Sequence, residues 1–252
     1  MKNIIFQSVL LLLPLFVLGQ DYRWEIIHGV PTRNEVPHHV MEDYDQGLYI
    51  SGSSLIGYAG DAWSIKTDVN GNLLYDKKLS HDDFTLQTQH AIVDSEGNKY
   101  LCGWVSTETA QWPYVSKLNV CGNLEWCKML DKQDFTHGTA DKMVINSKGE
   151  LIVLLWYEQP SQVYKHFLAG FDLTGELLWQ KPYCTKVDYP LLGARSSRDF
   201  IEFNNSYYII GDCYYAFPED PNHVWIRGMF IGIDSMFNEK FMLPFMKRDS
   251  VF

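Results

Sequence analysis

The residues best suited to chemistry lie in short local groups rather than in one recognisable motif. Asp82 and Asp83 follow His81, with His90 a few positions on, and carboxylates beside imidazoles are the parts of an acid–base pair. In a loop, however, carboxylates are by default simply solvated. Asp68-Val-Asn70-Gly71-Asn72 sets hard oxygen ligands at alternate positions, as a calcium loop does. It lacks the closing bidentate Glu, and the same residues make a good hairpin turn. The turn is the reading adopted, so no metal site is expected. His38 and His39 alternate across a strand and are not expected to point at one metal together. No Gly-x-Ser-x-Gly, His-Glu-x-x-His or phosphate-cradling glycine loop occurs. No catalytic residue and no cofactor is assigned.

The five cysteines are Cys102, Cys121, Cys127, Cys184 and Cys213, an odd count that leaves at least one unpaired. Cys121 and Cys127 flank the turn at Gly122 asymmetrically, so their side chains should not meet across it. Their spacing matches no zinc pattern either. All five are read mainly as structural thiols.

The elements that would position any site repeat along the chain. An acidic or amide residue, two residues, Gly, then a strand with an aromatic recurs as Asp68–Tyr75, Asn119–Trp126 and Asp172–Trp179, with a degenerate copy at Asp234–Phe241. The aromatic positions are 51, 53 and 62 residues apart, the last gap fitting a loop insertion such as Ala216 to Asn222. A second motif keeps phase with the first: Gly47–Gly52, Gly97–Gly103, Gly149–Leu154 and Ser206–Gly211, each a turn and then a strand. The apolar period within a repeat is 2, and no sustained 3.6-residue stripe follows the leader. The columns Trp63, Tyr114, Phe167, Met229 and Thr67, Leu118, Phe171, Ile233 should be the buried strand positions. In the second copy the strands are expected near 88–94, 99–106, 113–119 and 123–130. Four short antiparallel strands in about 51 residues predict a blade of a β-propeller, an all-β fold. The blades are expected at about 37–80, 88–130, 139–183 and 197–246.

Residues 1–19 read as a signal peptide: Lys2, an apolar stretch from Ile4 to Leu18, then Gly19 before Gln20. That stretch is short of the roughly 20 residues that span a bilayer, and no later segment qualifies. The expected location is secreted, periplasmic or on the outer cell surface. A net charge of −10, spread along the chain, repels phosphate backbones and argues against a nucleic-acid partner. Residues 21–28, with Trp24 lying 51 before Tyr75, look like a lone fourth strand that closes a ring. Two readings remain, a four-bladed ring with a surplus strand or the front part of a longer protein, and the second is favoured.

With its leader ending before Gln20, its opening Tyr22-Arg-Trp24 strand, and blades of the forms Asp-x-x-Gly-x-x-x-Trp and Gly-x-x-Tyr-hydrophobic-x-Gly, the chain resembles exported β-propeller repeat proteins of Bacteroidota. The resemblance covers residues 1 to about 246 and implies a fold rather than a function. Many members carry a C-terminal sorting domain for type IX secretion; this sequence lacks one, so surface delivery by that route is an inference about a tail outside it.

In propellers the loops between blades, and those between second and third strands, crowd one mouth of the central channel. Here these are roughly 80–88, 131–139 and 181–197, then 53–62, 106–112, 157–166 and 213–226. They make Tyr58, Asp82, Asp83, Trp112, His137, Tyr157, Arg195 and Trp225 the candidate ligand-binding residues. Aromatics with scattered polar groups suit a glycan or a protein partner. The favoured reading is therefore a non-enzymatic binding or scaffold module. A propeller glycan lyase or hydrolase with carboxylates at the channel mouth is the alternative, and a spacer for a further domain is a third.

Overall fold

The computed structural model describes residues 25, 27–29, 31–56, 59–81, 84–107, 109–160, 164–184, 191–217 and 220–245. The expected leader and most of the expected closing strand lie outside them, as do Tyr58, Asp82 and Asp83.

Sixteen strands form four antiparallel sheets of four, each a simple meander. Blade 1 is β1 (Asn34–Glu42), β2 (Leu48–Ile56), β3 (Ala59–Thr67) and β4 (Leu73–Leu79). Blade 2 is β5 (Thr85–Val93), β6 (Lys99–Ser106), β7 (Gln111–Leu118) and β8 (Leu124–Met129). Blade 3 is β9 (His137–Ile145), β10 (Leu151–Glu158), β11 (Tyr164–Phe171) and β12 (Leu177–Tyr183). Blade 4 is β13 (Leu191–Phe203), β14 (Ser206–Phe217), β15 (Asp220–Ile233) and β16 (Glu239–Pro244). The chain is an all-β propeller. The first strands β1, β5, β9 and β13 touch in sequence and line the axis, whereas the fourth strands face solvent.

The hairpins follow from the acidic or amide residue of the repeat. Asp68 Oδ1 accepts the N–H groups of Asn70 and Asn72, each at 2.8 Å. Asp94, Asn119, Asn146, Asp172 and Asp234 repeat this pairing. The calcium-like loop is thus a turn whose carboxylate is spent on backbone N–H groups. Each such turn needs one residue at positive φ, Gly71 (83°) or Gly122 (75°) for example. Blade 4 lacks the glycine, and Phe237 adopts φ 61° instead. Its ring stacks on Tyr207 at 4.8 Å and packs tilted against Trp179 at 4.1 Å, and this packing offsets the strained backbone.

Three buried clusters join the blades in pairs. Tyr49 and Ala62 pack on Leu101, Tyr114 and Leu118 between blades 1 and 2. Tyr100, Cys102 and Val115 of blade 2 meet Val153, Phe167 and Phe171 of blade 3. Ile152, Leu154 and Leu168 meet Ile209, Met229 and Ile231 between blades 3 and 4. All eight residues of the two predicted columns are buried. Among the described residues no such cluster joins blade 4 to blade 1. Blade 4 leaves Ile210, Phe241, Leu243 and Phe245 exposed. A buried ion cluster also fastens blade 1 to blade 2. Asp43 Oδ2 forms ion pairs with Lys66 Nζ at 2.9 Å and Lys99 Nζ at 2.8 Å, and Lys99 also donates to Gly97 O at 2.6 Å.

The expected insertion near Ala216–Asn222 falls at the ends of β14 and β15, which run to 12 and 14 residues, with residues 218 and 219 outside those described. All five cysteines are free thiols; Cys121 and Cys127 are exposed and the other three buried.

Candidate functional site

Each axial strand carries a β-bulge at the same place. The register with the second strand skips one residue at His38 in β1, Gln89 in β5, Asp141 in β9 and Arg198 in β13, and a further bulge falls at Arg195. A bulge puts two residues opposite one, resets the alternation of faces and re-aims a side chain. In blades 1, 2 and 4 the glycine ending the second sequence motif accommodates the bulge, whereas blade 3, whose motif ends at Leu154, bulges without it. A Cβ at Gly52, Gly103 or Gly211 would collide with the carbonyl oxygen of Val36, Gln87 or Ser196 on the bulged strand. That is the packing reason for a glycine which the sequence displays only as a turn-and-strand ending.

A third shift in β13 falls at Leu192, and the other five bulged residues line one cavity of about 580 Å³ at the axis. His39, Lys142 and Ser197 add to it from the same strands, and Trp104, Trp156 and Tyr164 from the second and third strands form aromatic walls. The rings of Trp156 and Tyr164 meet edge-on at 5.3 Å.

Asp141 is the carboxyl among these lining residues. Burial raises its pKa to about 7, against a hydrogen bond from the Trp156 indole and the charges of Arg198 and Lys142, all of which favour the carboxylate. A carboxyl placed so near neutrality holds its proton for transfer, the requirement of a general acid. His38 and His39 are shifted the other way, below their usual value, chiefly by burial; for His39 the Lys142 charge adds to this and Asp199 opposes it. The His39 Nδ1 has no hydrogen-bond partner. His90 lies 4.3 Å from the His39 ring and accepts the Met143 N–H at 3.4 Å. Its pKa falls to about 3 through burial first, so it stays neutral. The cations are Lys142, 3.6 Å from Asp199, Arg198, 3.3 Å from Asp212, and Arg195. No cluster able to hold a metal occurs among the described residues.

Of the candidates read from sequence, Arg195 lines this cavity. Tyr157 does not: its ring is buried between blades 2 and 3 and its hydroxyl donates to Leu130 O at 2.9 Å, so the adjacent Trp156 faces the cavity in its place. Trp112 is partly buried against the clusters on both sides of blade 2. His137 is exposed, 3.1 Å from Thr136 Oγ1 and 3.8 Å from Glu158. Trp225 is exposed along β15, its ring 5.7 Å from that of His223. His38 and His39 both line the cavity, contrary to strict alternation, because the bulge at His38 resets it. The sequence did hold a signal for the site. His38, Gln89, Asp141 and Arg198 are 51, 52 and 57 residues apart, a polar column in phase with the repeat.

No family model and no curated protein matches the chain. Solved structures do. The chain is similar to the sucrose-6-phosphate hydrolase of Lactobacillus gasseri, with a TM-score of 0.54 and 11% identity over 84% of this chain and 47% of that one. It is similar to a neuraminidase-like protein from a little yellow-shouldered bat isolate, with a TM-score of 0.51 and 9% identity over 84% of this chain and 62% of that one. An α-L-arabinofuranosidase of Clostridium thermocellum aligns with a TM-score of 0.47 and 12% identity, over 82% and 71%. The chain spans about half the length of the hydrolase it matches. At such identities the likeness establishes the propeller. It also corrects the expectation of a non-enzymatic binding module that leaned away from an enzyme. The propellers matched include a sucrose-6-phosphate hydrolase, and the channel mouth holds a carboxyl whose pKa burial raises toward neutrality.

Proposed function

We propose that the chain is a glycan-cleaving hydrolase acting in the cavity at the axis. The observation that carries this is Asp141, a carboxyl re-aimed by a bulge into an aromatic-walled cavity with a pKa of about 7. Asp141 protonates the glycosidic oxygen as the bond to the leaving sugar breaks. A water molecule adds to the sugar carbon, its proton taken by His39, whose imidazole burial keeps neutral. Glycosidases ordinarily divide these duties between two carboxyl groups; here a histidine stands in for the second. Trp104 and Trp156 supply apolar faces for sugar rings.

Activity should then need Asp141 protonated and His39 neutral. The rate rises with pH through a value below 6.5 and falls through about 7. The test is a screen of plant and microbial polysaccharides for release of reducing ends by the purified chain. Asp141→Asn should abolish the release, by about a thousandfold or more for loss of a general acid. Release that survives Asp141→Asn and His39→Ala removes the proposal.

The leader at residues 1–19 and the resemblance to exported Bacteroidota repeat proteins support the further proposal that the enzyme works outside the cytoplasm on environmental or cell-surface glycan. N-terminal sequencing of the exported product should begin near Gln20.

A further inference from the structure

We infer that the sugar recognised in this cavity carries a carboxylate, so that the substrate is an acidic, uronate-bearing glycan. This rests on the hydrolase reading and adds the substrate class to it.

The argument is one of charge. The chain carries a net charge of −10, yet Lys142, Arg195 and Arg198 all face a cavity whose own carboxyl, Asp141, holds its proton up to about pH 7. His38 and His39 add no charge near neutrality, since burial lowers both. Below pH 7 the lining is therefore cationic. Two of the cations have partial partners: Lys142 lies 3.6 Å from Asp199, whose side chain is 52% exposed, and Arg198 lies 3.3 Å from Asp212. Arg195 forms no ion pair with a described residue. β13 has two register shifts without counterpart in blades 1 to 3, at Leu192 and Arg195, and Arg195 lines the cavity. A neutral sugar offers that residue's guanidinium no counter-charge. A carboxylate matches the planar fork of a guanidinium with two parallel hydrogen bonds. Field lines from three cations around one concave site also attract an anion that the rest of the surface repels.

Arg195 is thus assigned as the carboxylate-binding residue, with Lys142 and Arg198 assisting. The test uses defined oligosaccharides: oligogalacturonate and its methyl ester, hyaluronan and alginate oligomers, chondroitin sulfate, and neutral arabinan and xylan oligomers. Binding is measured by calorimetry on the Asp141→Asn variant near pH 6, where wild-type Asp141 is protonated and Asn is close to isosteric. Cleavage is measured on the wild-type chain. At least one uronate oligomer should bind, with affinity falling about tenfold or more when its carboxylate is esterified or when Arg195 becomes Ala, as loss of a charge-assisted pair entails. Arg195→Lys should recover part of the loss, and added salt should raise KM.

Cleavage of neutral oligomers with no binding of acidic ones overturns the inference while leaving the hydrolase standing. Arg195-dependent binding of a uronate with no cleavage of anything sustains the inference and removes the hydrolase. Tighter binding of a sulfated oligomer that lacks uronate-dependent affinity, or no binding at all, overturns the inference.

Discussion

Replacing Asp141 by Asn tests the electrostatics of the site without any substrate. In the folded chain the carboxyl titrates at about 7, against about 3.8 when unfolded. Between these values the native state holds one proton more than the unfolded state. Stability from this group is therefore complete below the unfolded pKa and is lost as pH rises through the folded one. A shift of about 3 pKa units corresponds to a ceiling of about 4 kcal/mol at 1.36 kcal/mol per unit. Asp141 is partly exposed at the cavity mouth, and solvent screening brings the expected figure to about 2–3 kcal/mol. Asparagine keeps the acceptor for the Trp156 indole and cannot ionise. The wild type and Asp141→Asn should thus be about equally stable near pH 4, and the variant should be more stable by about 2–3 kcal/mol at pH 8. Urea unfolding of both proteins at pH 4, 6 and 8 reads this difference, because contributions from all other carboxyls cancel. A gap that stays constant with pH, or a wild type that gains on the variant as pH rises, would refute the reasoning.

The other predictions concern the devices that hold the site. Trp156→Phe removes a donor that favours the Asp141 carboxylate, so the alkaline limb of the pH–rate profile should move to higher pH. Gly103→Ala drives a methyl into the Gln87 carbonyl and should cost about 3 kcal/mol in chemical denaturation, with loss of turnover as the bulge at Gln89 is displaced. Lys99→Met leaves the buried Asp43 with one fewer cation and should destabilise by about 3 kcal/mol, most of it recovered in the Asp43→Asn/Lys99→Met double variant. Phe237→Gly relieves about 1 kcal/mol of left-handed backbone strain but forfeits about 3 kcal/mol of ring packing, so thermal unfolding should show a net loss of about 2 kcal/mol.

The repeat, the strand period and the hairpins were all legible in the residues, because each is a local property. An Asp or Asn that caps two N–H groups, a glycine at positive φ and an alternation of apolar side chains need no knowledge of the rest of the chain. Hence the strands of blade 2 lie within a few residues of expectation, and both predicted columns are buried. The cavity was not legible in this way. Candidates were sought in the loops, where Tyr157 and Trp112 proved to be packing residues, whereas the site lies on the axial strands themselves. Two facts of tertiary structure decide it. A one-residue bulge reverses every face assignment beyond it, so that His38 and His39 share a cavity that alternation would divide between them. Rotation about a common axis then converts a spacing of some fifty residues along the chain into adjacency at one mouth, bringing His38, Gln89, Asp141 and Arg198 together. The sequence alone determined which residues recur in phase; only the closing of blade upon blade decided which of those recurrences meet.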